Sequence, residues 1–148
     1  MLVAALSVAA TLQGSALLAQ SPPLKVVTSA TDYASLAELV GGEQVKVTSL
    51  TNGTEHIHNV VATPTKMLEL RNADLFIHTG LDHDHFVPDA LKGSRNPKIQ
   101  EGQPGNVDCS KNIKLKEIPK QFSRANGHVD IYGNPHYMLD PLNHILMA

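Results

Sequence analysis

Apolar positions along this chain fall into short runs, the first of them β-branched, that alternate with segments of helical spacing. Four runs predict strands, at 24–29 (LKVVTS), 44–50 (QVKVTSL), 73–80 (ADLFIHTG) and 97–100 (PKIQ). Between the first two runs, Leu36, Leu39 and Val40 recur at helical spacing, and Gly41 and Gly42 end the predicted helix. Strands that alternate with helices predict an α/β fold with a mainly parallel, four-stranded sheet flanked by helices.

Capping residues mark the start of two further helices. Thr63 is a predicted N-cap with Pro64 in the first turn, where the missing N–H costs nothing. Asp140 and Pro141 repeat this pattern near the end of the sequence, and an apolar stripe follows them at Leu142, Ile145 and Leu146. Because such a stripe needs a packing partner, we expect the chain to be a truncated part of a longer protein.

The first 20 residues differ from the rest of the chain. They are apolar and small, carry no charged side chain and end in ALLAQ. This pattern predicts a secretory signal peptide at 1–20, with Ala19 as the last residue before cleavage; the alternative is a buried helix of the domain. A signal peptide would place the folded domain, at 24–139, outside the cytoplasm.

Composition and charge narrow the class of protein. With 148 residues, 42% of them hydrophobic, the chain is long enough for one domain with a core. Its net charge of −2 argues against a nucleic-acid partner. The single cysteine, Cys109, cannot form an internal disulfide, and no activating group stands near it in NVDCSKN. We therefore expect a small, partly buried residue rather than a nucleophile.

The sequence lacks the common catalytic motifs. It contains no CxxC, HExxH, P-loop, GxGxxG or GxSxG stretch, and no serine or cysteine nucleophile has an evident partner. We therefore predict that the protein is not an enzyme. A metal-dependent hydrolase is the alternative, but such an enzyme needs a general base that the sequence does not indicate.

Histidines cluster in the predicted loops. His56 and His58 form an HIH stretch after the second predicted strand, and His83 and His85 lie in DHDH after the third. The carboxyl ends of parallel strands meet at one edge of a sheet, so both loops are expected at one rim. Neutral imidazole is a good ligand for zinc and related divalent ions, although solvated polar loops can have the same composition. His136 follows a proline, which suits a preorganised ligand.

Three stretches carry a resemblance to a known family. They are HNVVATPTKM (58–67), ADLFIHTGLD (73–82) and GNPHYMLDPLN (133–143). The sequence resembles the periplasmic substrate-binding proteins of ABC transporters for zinc, manganese or iron, the helical-backbone metal receptors. In the first stretch, His58 and Pro64 keep the family's spacing, while Ala62 replaces a proline. In the third, Met138 stands where a tryptophan is usual.

The resemblance implies one lobe of a longer, two-lobed receptor that binds its metal between the lobes. It implies an N-terminal lobe at 24–139 and the start of the inter-lobe helix at 140–148. It also implies that His58 and His136 are metal ligands and that the absent lobe supplies the others. The motifs do not cover the remaining clustered histidines, which are candidates for an auxiliary metal role: His56, His83 and His85.

The resemblance further implies a cargo, a partner and a location. The cargo is a divalent metal ion, with Zn2+ favoured by the histidine ligands and Mn2+ or Fe2+ also allowed. The partner is the membrane permease of an ABC transporter, and the location is the periplasm. Two alternatives stay open: a stand-alone metal chaperone or buffer that uses the HIH and DHDH loops, and a nonfunctional fragment.

Overall fold

The computed structural model of the protein describes residues 21–119 and 130–148, and its centre is a parallel sheet. The sheet has the order β2-β1-β3-β4, with strands β1 (Leu24–Thr28), β2 (Val45–Ser49), β3 (Leu75–His78) and β4 (Asn106–Asp108). All three strand pairings are parallel. The α-helices of this part of the chain are α1 (Thr31–Gly41), α2 (Pro64–Arg71), α3 (Val87–Ser94) and α4 (Pro141–Met147). The prediction of an α/β fold with a mainly parallel, four-stranded sheet is confirmed.

One face of the sheet carries the larger hydrophobic core. Val27 of β1 and Phe76 of β3 are paired in register, so their side chains point to the same face. Both are almost fully buried, and they pack with residues of α2, α3 and the following loop, among them Leu70, Ala90 and Ile99. This core holds the carboxyl ends of β1 and β3 in place, and those ends lead directly into the loops described below.

The opposite face carries a smaller cluster. Ile77 of β3 is paired with Val107 of β4, and both pack against a buried group formed by Tyr33, Cys109, Ile113 and Tyr137. Burial raises the pKa of the Cys109 thiol to about 12. The thiol is therefore protonated at neutral pH, which agrees with the expectation of a small buried residue rather than a nucleophile.

The predicted fourth strand at 97–100 is wrong. This segment forms a turn, and Asn106–Asp108 takes the edge position instead. Ile99 is fully buried, which explains the apolar signal. The true strand contains a single apolar residue, Val107, and therefore has no hydrophobic run. Gly105, directly before this strand, lies close to the backbone of the turn: a Cβ there would be 2.5 Å from the Lys98 carbonyl oxygen.

Helix α1 ends where predicted, at Gly41, and Gly42, with φ of 50°, lies just beyond its end. The apolar stripe that predicted this helix is not its buried face, however. Leu39 and Val40 are 82% and 58% exposed, whereas the buried residue of α1 is Tyr33. The spacing thus identified the helix correctly but did not identify its packing face.

Helix α4 begins as predicted at Asp140 and Pro141. The Asp140 carboxylate accepts a hydrogen bond from the Leu142 backbone N–H at 3.0 Å. Its apolar stripe is exposed at Leu142, Ile145 and Leu146. Across residues 21–119 and 130–148, no helix is long and apolar enough to cross a membrane. The predicted signal peptide lies outside the described residues and stays a prediction.

Candidate metal centre

Three separate segments bring histidines to the carboxyl edge of the sheet. His58 lies in a 3₁₀ turn, Ile57–Asn59, in the connection between β2 and α2. His83 lies in the loop between β3 and α3. His136 begins a second 3₁₀ turn, His136–Leu139, just before α4. Residues almost 80 positions apart in the sequence thus meet at one site.

The connection that carries His58 is fixed at both of its ends. Near β2, the Asn52 backbone N–H donates to the Glu55 carboxylate at 2.8 Å. Near α2, the Thr63 hydroxyl accepts from the Lys66 backbone N–H at 3.4 Å, which confirms the predicted N-cap. Between these ends, partly buried Ile57, Val60 and Ala62 pack on the main core. The residues on both sides of His58 are therefore packed on the core.

The loop that carries His83 has an unusual backbone. Gly80, Leu81 and Asp82 all have positive φ angles, of 74°, 55° and 57°. This conformation costs a residue other than glycine roughly 1 kcal/mol or more. Buried Asp84 supports the loop, because its carboxylate accepts the Thr79 backbone N–H at 3.0 Å. The turn directs His83 inward, where it is only 7% exposed.

His83 contacts both predicted ligands. Its ring centroid lies 4.8 Å from that of His58 and 5.3 Å from that of His136. Two imidazoles bound to one zinc ion at the tetrahedral angle, with Zn–N bonds of about 2.0–2.1 Å, have ring centres roughly 5 Å apart. Both separations fit that value, so each pair has the spacing of neighbouring ligands.

Two more histidines surround this group on its exposed side. His56 and His85 lie 5.3 Å and 5.4 Å from His58, measured between ring centroids. Both are exposed, and the His85 Nδ1 lies 3.3 Å from a carboxylate oxygen of Asp82. A carboxylate behind an imidazole is a common arrangement around metal-binding histidines. All five candidate histidines therefore belong to one contact group.

Burial and charge favour the neutral form of His83. Burial lowers the pKa of its imidazole, and the neighbouring His58 lowers that pKa further. The neutral imidazole is the form that binds metal ions. The Nδ1 of His83 is buried and, among the described residues, has no hydrogen-bond partner. An unpaired buried nitrogen of this kind costs about 1–3 kcal/mol, which a bound ion or water would offset.

The histidine group is not a closed cage. Within residues 21–119 and 130–148, no three histidine, cysteine, aspartate or glutamate side chains already surround one point closely enough to hold an ion. The ring contacts are pairwise, and His83 links His58 to His136. Simultaneous binding of one ion by all three would therefore require side-chain rotations. The assignment of His58 and His136 as ligands stays a prediction.

Two other described histidines have local structural partners instead. His78 lies at the end of β3, where its Nε2 lies 3.0 Å from the Asn106 side-chain oxygen and its ring stacks on Phe76. His144 of α4 has its Nε2 2.6 Å from the Met138 carbonyl oxygen. His128 lies outside the described residues. A histidine at this rim is therefore not automatically part of the cluster.

The sequence did not distinguish His83 from His85. The alternation in LDHDH suggested equivalent positions for His83 and His85, yet the former is buried between two histidines and the latter is exposed. A turn with a left-handed backbone at Leu81 and Asp82 directly precedes His83. The sequence signal that could have indicated this turn was Gly80, directly after the strand.

An open parallel α/β sheet with a histidine cluster at its carboxyl edge defines a class of domain suited to binding a metal ion. Comparison with known families agrees with this class. A model of the family described as "Zinc-uptake complex component A periplasmic" matches residues 26–148. The chain belongs to this family of periplasmic metal-binding receptors.

Solved structures show the same fold. A ZnuA deletion mutant with zinc bound has a TM-score of 0.63 at 18% identity, and covers 84% of this chain and 44% of its own. The metal-dependent lipoprotein YcdH from Bacillus subtilis has a TM-score of 0.61 at 25% identity, with coverages of 82% and 39%. FpvC from Pseudomonas aeruginosa in complex with Mn2+ has a TM-score of 0.64 at 17% identity, with coverages of 84% and 40%.

This chain therefore spans less than half the length of these structural relatives and matches one lobe of such receptors. Among curated proteins, none matches the sequence.

Proposed function

We propose that this chain is the metal-binding lobe of a receptor that captures a divalent transition metal ion outside the cytoplasm and delivers it to an ABC transporter. The observation that carries the proposal is the contact of His83 with both His58 and His136, at ring spacings that suit ligands of one ion. Family membership supports the transport role, since the matched family is a zinc-uptake component.

His58 and His136 are the proposed ligands that the family motifs indicate. We add His83 because it is buried against both of them and has an unpaired ring nitrogen among the described residues. Three imidazoles leave a fourth position open on a tetrahedral ion. In a two-lobed receptor, a second lobe would supply further ligands and close over the ion, and its departure would allow release.

Zinc is the proposed cargo. The proposed ligands are imidazoles, which suit zinc and other borderline divalent ions. The Cys109 thiol is not among them, because it is buried and burial keeps it protonated at neutral pH. Related structures carry zinc, manganese or nickel, so the fold itself does not select one ion. We rank Mn2+ below zinc because carboxylate and carbonyl oxygen ligands, which Mn2+ favours, are not prominent in the proposed set, whereas imidazoles also suit Fe2+.

The proposed partner is the transporter's membrane permease, and the proposed location is the periplasm. We propose binding rather than catalysis. We assign the histidines of the contact group as metal ligands, and we assign none of them as a general base for an attacking water.

Titration of the purified chain with Zn2+, Mn2+ and Fe2+, followed by calorimetry, tests the proposal. We expect one zinc ion per chain, bound with an affinity well below that of a complete receptor. Separate His58→Ala, His83→Ala and His136→Ala variants are expected to weaken zinc binding at least about tenfold, or about 1.4 kcal/mol. The matched control is His144→Ala, which removes a histidine outside the contact group. Equal affinities for all four variants and the wild type would contradict the proposal.

A metal buffer is the second candidate. It is favoured by the exposed pair His56 and His85, which extends the cluster beyond three rings. A buffer would bind more than one zinc ion per chain, and a His56→Ala/His85→Ala variant would lose the additional ion. A stoichiometry of one that is unchanged in this variant would leave the receptor as the remaining account.

A further inference from the structure

An amide and a carboxylate stand behind His136. The Asn134 side-chain oxygen accepts the His136 backbone N–H at 2.9 Å and lies 3.0 Å from the His136 Nδ1. The Asn134 side-chain NH2 donates to the Glu117 carboxylate at 2.7 Å. Glu117, Asn134 and the imidazole therefore form a continuous hydrogen-bonded series.

The chemistry of the three groups fixes the direction of every hydrogen bond. An ionised carboxylate only accepts, so the NH2 end of Asn134 must face Glu117. The backbone N–H of His136 only donates, so the oxygen end of Asn134 must face His136. That oxygen cannot donate to the ring, and the proton of a neutral imidazole must then sit on Nδ1.

We infer that Asn134, oriented by Glu117, is a positioning residue that holds His136 in its Nδ1–H tautomer and leaves the Nε2 lone pair available for a metal ion. The tautomer follows from the hydrogen bonds alone. Its use in metal binding rests on the proposed function. Metal-binding histidines commonly donate their other ring N–H to an oxygen acceptor, and loss of that acceptor typically costs 10–100-fold in affinity.

The backbone around Asn134 is shaped to hold this arrangement. Gly133 has a φ of 112°, and a Cβ there would lie 3.0 Å from the Lys116 carbonyl oxygen. The next backbone N–H, that of Asn134, donates to the same carbonyl at 2.9 Å. Glu117 itself has a positive φ of 57°. The two segments therefore lie close together at the point where Asn134 meets Glu117.

A simpler account is that Asn134 only stabilises the turn. Its contact with the His136 backbone N–H is a common local arrangement for asparagine and would persist with any ring orientation. That account gives no tautomer preference and no role for Glu117. The tautomer of the imidazole therefore separates a turn residue from a positioning residue.

The experiment uses the full chain without metal at about pH 8, where a free imidazole is neutral. Nitrogen-15 NMR of the side chain identifies which ring nitrogen of His136 carries the proton. In the wild type we expect Nδ1–H. In Asn134→Leu, which keeps the size but removes the acceptor, we expect this preference to be lost. Asn112→Leu, at an exposed asparagine distant in sequence, is the control and should leave the tautomer unchanged.

A double variant reverses the two polar partners. Asn134→Asp with Glu117→Gln keeps an oxygen acceptor facing His136 and places an NH2 donor on residue 117. We expect it to regain the Nδ1–H tautomer, whereas Asn134→Asp alone sets two carboxylates against each other. Zinc affinity should fall about tenfold or more in Asn134→Leu and recover in the double variant.

An Nε2–H tautomer in the wild type, or an unchanged tautomer in folded Asn134→Leu, would overturn the inference. A shifted tautomer with unchanged zinc affinity would overturn its metal-binding part. If Asn134→Leu does not fold, the wild type and the double variant decide the question. If the wild type binds no zinc, the proposed function fails while the tautomer result still tests the role of Asn134.

Discussion

The imidazole of His83 lies edge-on against that of His58, with ring centroids 4.8 Å apart and planes at 87°. The two residues come from different connections of the sheet, one after β2 and the other after β3. Because parallel strands end at the same edge, residues distant in sequence meet there. This contact is the physical basis of the proposed metal site.

Replacement of His83 by alanine is expected to lower zinc affinity as much as replacement of His58, by at least about tenfold. The reason is that His83 touches both other proposed ligands. Competition with a chromophoric chelator measures the change. If only His58→Ala and His136→Ala lose zinc affinity, His83 is a buried residue that does not bind the ion.

Stability of the metal-free protein should fall as the pH decreases below about 6.5, the ordinary pKa of histidine. Burial lowers the pKa of His83 in the folded state, so the unfolded chain takes up a proton at a higher pH than the folded chain does. The contribution of neutral His83 to stability is complete above the pKa that this residue has in the unfolded chain. It is lost as the pH falls through the lower pKa that this residue has in the folded protein.

Urea denaturation at a series of pH values between about 7.5 and 5 measures this effect. The His83→Asn variant should have a shallower dependence on pH than the wild type. Identical slopes for His83→Asn and the wild type would show that another group is responsible.

Gly80→Ala should destabilise the protein by about 1–3 kcal/mol more than Gly102→Ala. Both glycines have similar positive φ angles, 74° and 80°, so the backbone strain of alanine is nearly the same. Only at Gly80 does the added Cβ overlap other groups, the Asp108 carboxylate and the Ser110 hydroxyl, which are hydrogen-bonded to each other. Thermal unfolding of both variants measures the difference, and equal losses would show that the Asp108 carboxylate moves aside freely.

The same variant tests the loop at the metal site. Gly80 begins the left-handed turn that places His83, so Gly80→Ala should also weaken zinc binding, whereas Gly102→Ala should not. Unchanged zinc affinity in folded Gly80→Ala would mean that the turn does not control the position of His83.

Tyr137→Phe should lower stability by about 1–3 kcal/mol. The Tyr137 hydroxyl donates to the Thr79 carbonyl at 2.6 Å, which joins the turn of His136 to the end of β3. Removal of the hydroxyl leaves this buried carbonyl without its donor. Tyr132→Phe is the matched control, because Tyr132 is 52% exposed and its change should stay within about 0.5 kcal/mol. Equal losses of stability in Tyr137→Phe and Tyr132→Phe would show that the hydrogen bond from Tyr137 to Thr79 does not stabilise the fold.

A helix or strand was predictable from the sequence where its own residues carried the signal. Strands β1, β2 and β3 were predictable because each contains at least two apolar residues, such as Val26 and Val27 in β1 or Phe76 and Ile77 in β3. Strand β4 was not, because it has only Val107 and pairs with β3 through its backbone. Tyr33 was missed as the buried residue of α1 because the more apolar Leu39 lies on the exposed side.

The candidate site shows the same limit. His58 and His136 were predicted from motifs that resemble the family's, and the structure brings each into contact with His83. The central position of His83 depends on a left-handed turn and on burial, which residue spacing does not encode. The role inferred for Asn134 depends on Glu117, which is 17 residues away.

A crystal structure of the zinc-loaded chain, with the ion located by its anomalous scattering, decides whether one ion joins the three histidines. We predict a single strong peak with imidazole nitrogens of His58, His83 and His136 at about 2.0–2.1 Å. A zinc ion bound elsewhere, or His58 and His136 bound to different ions, would contradict it.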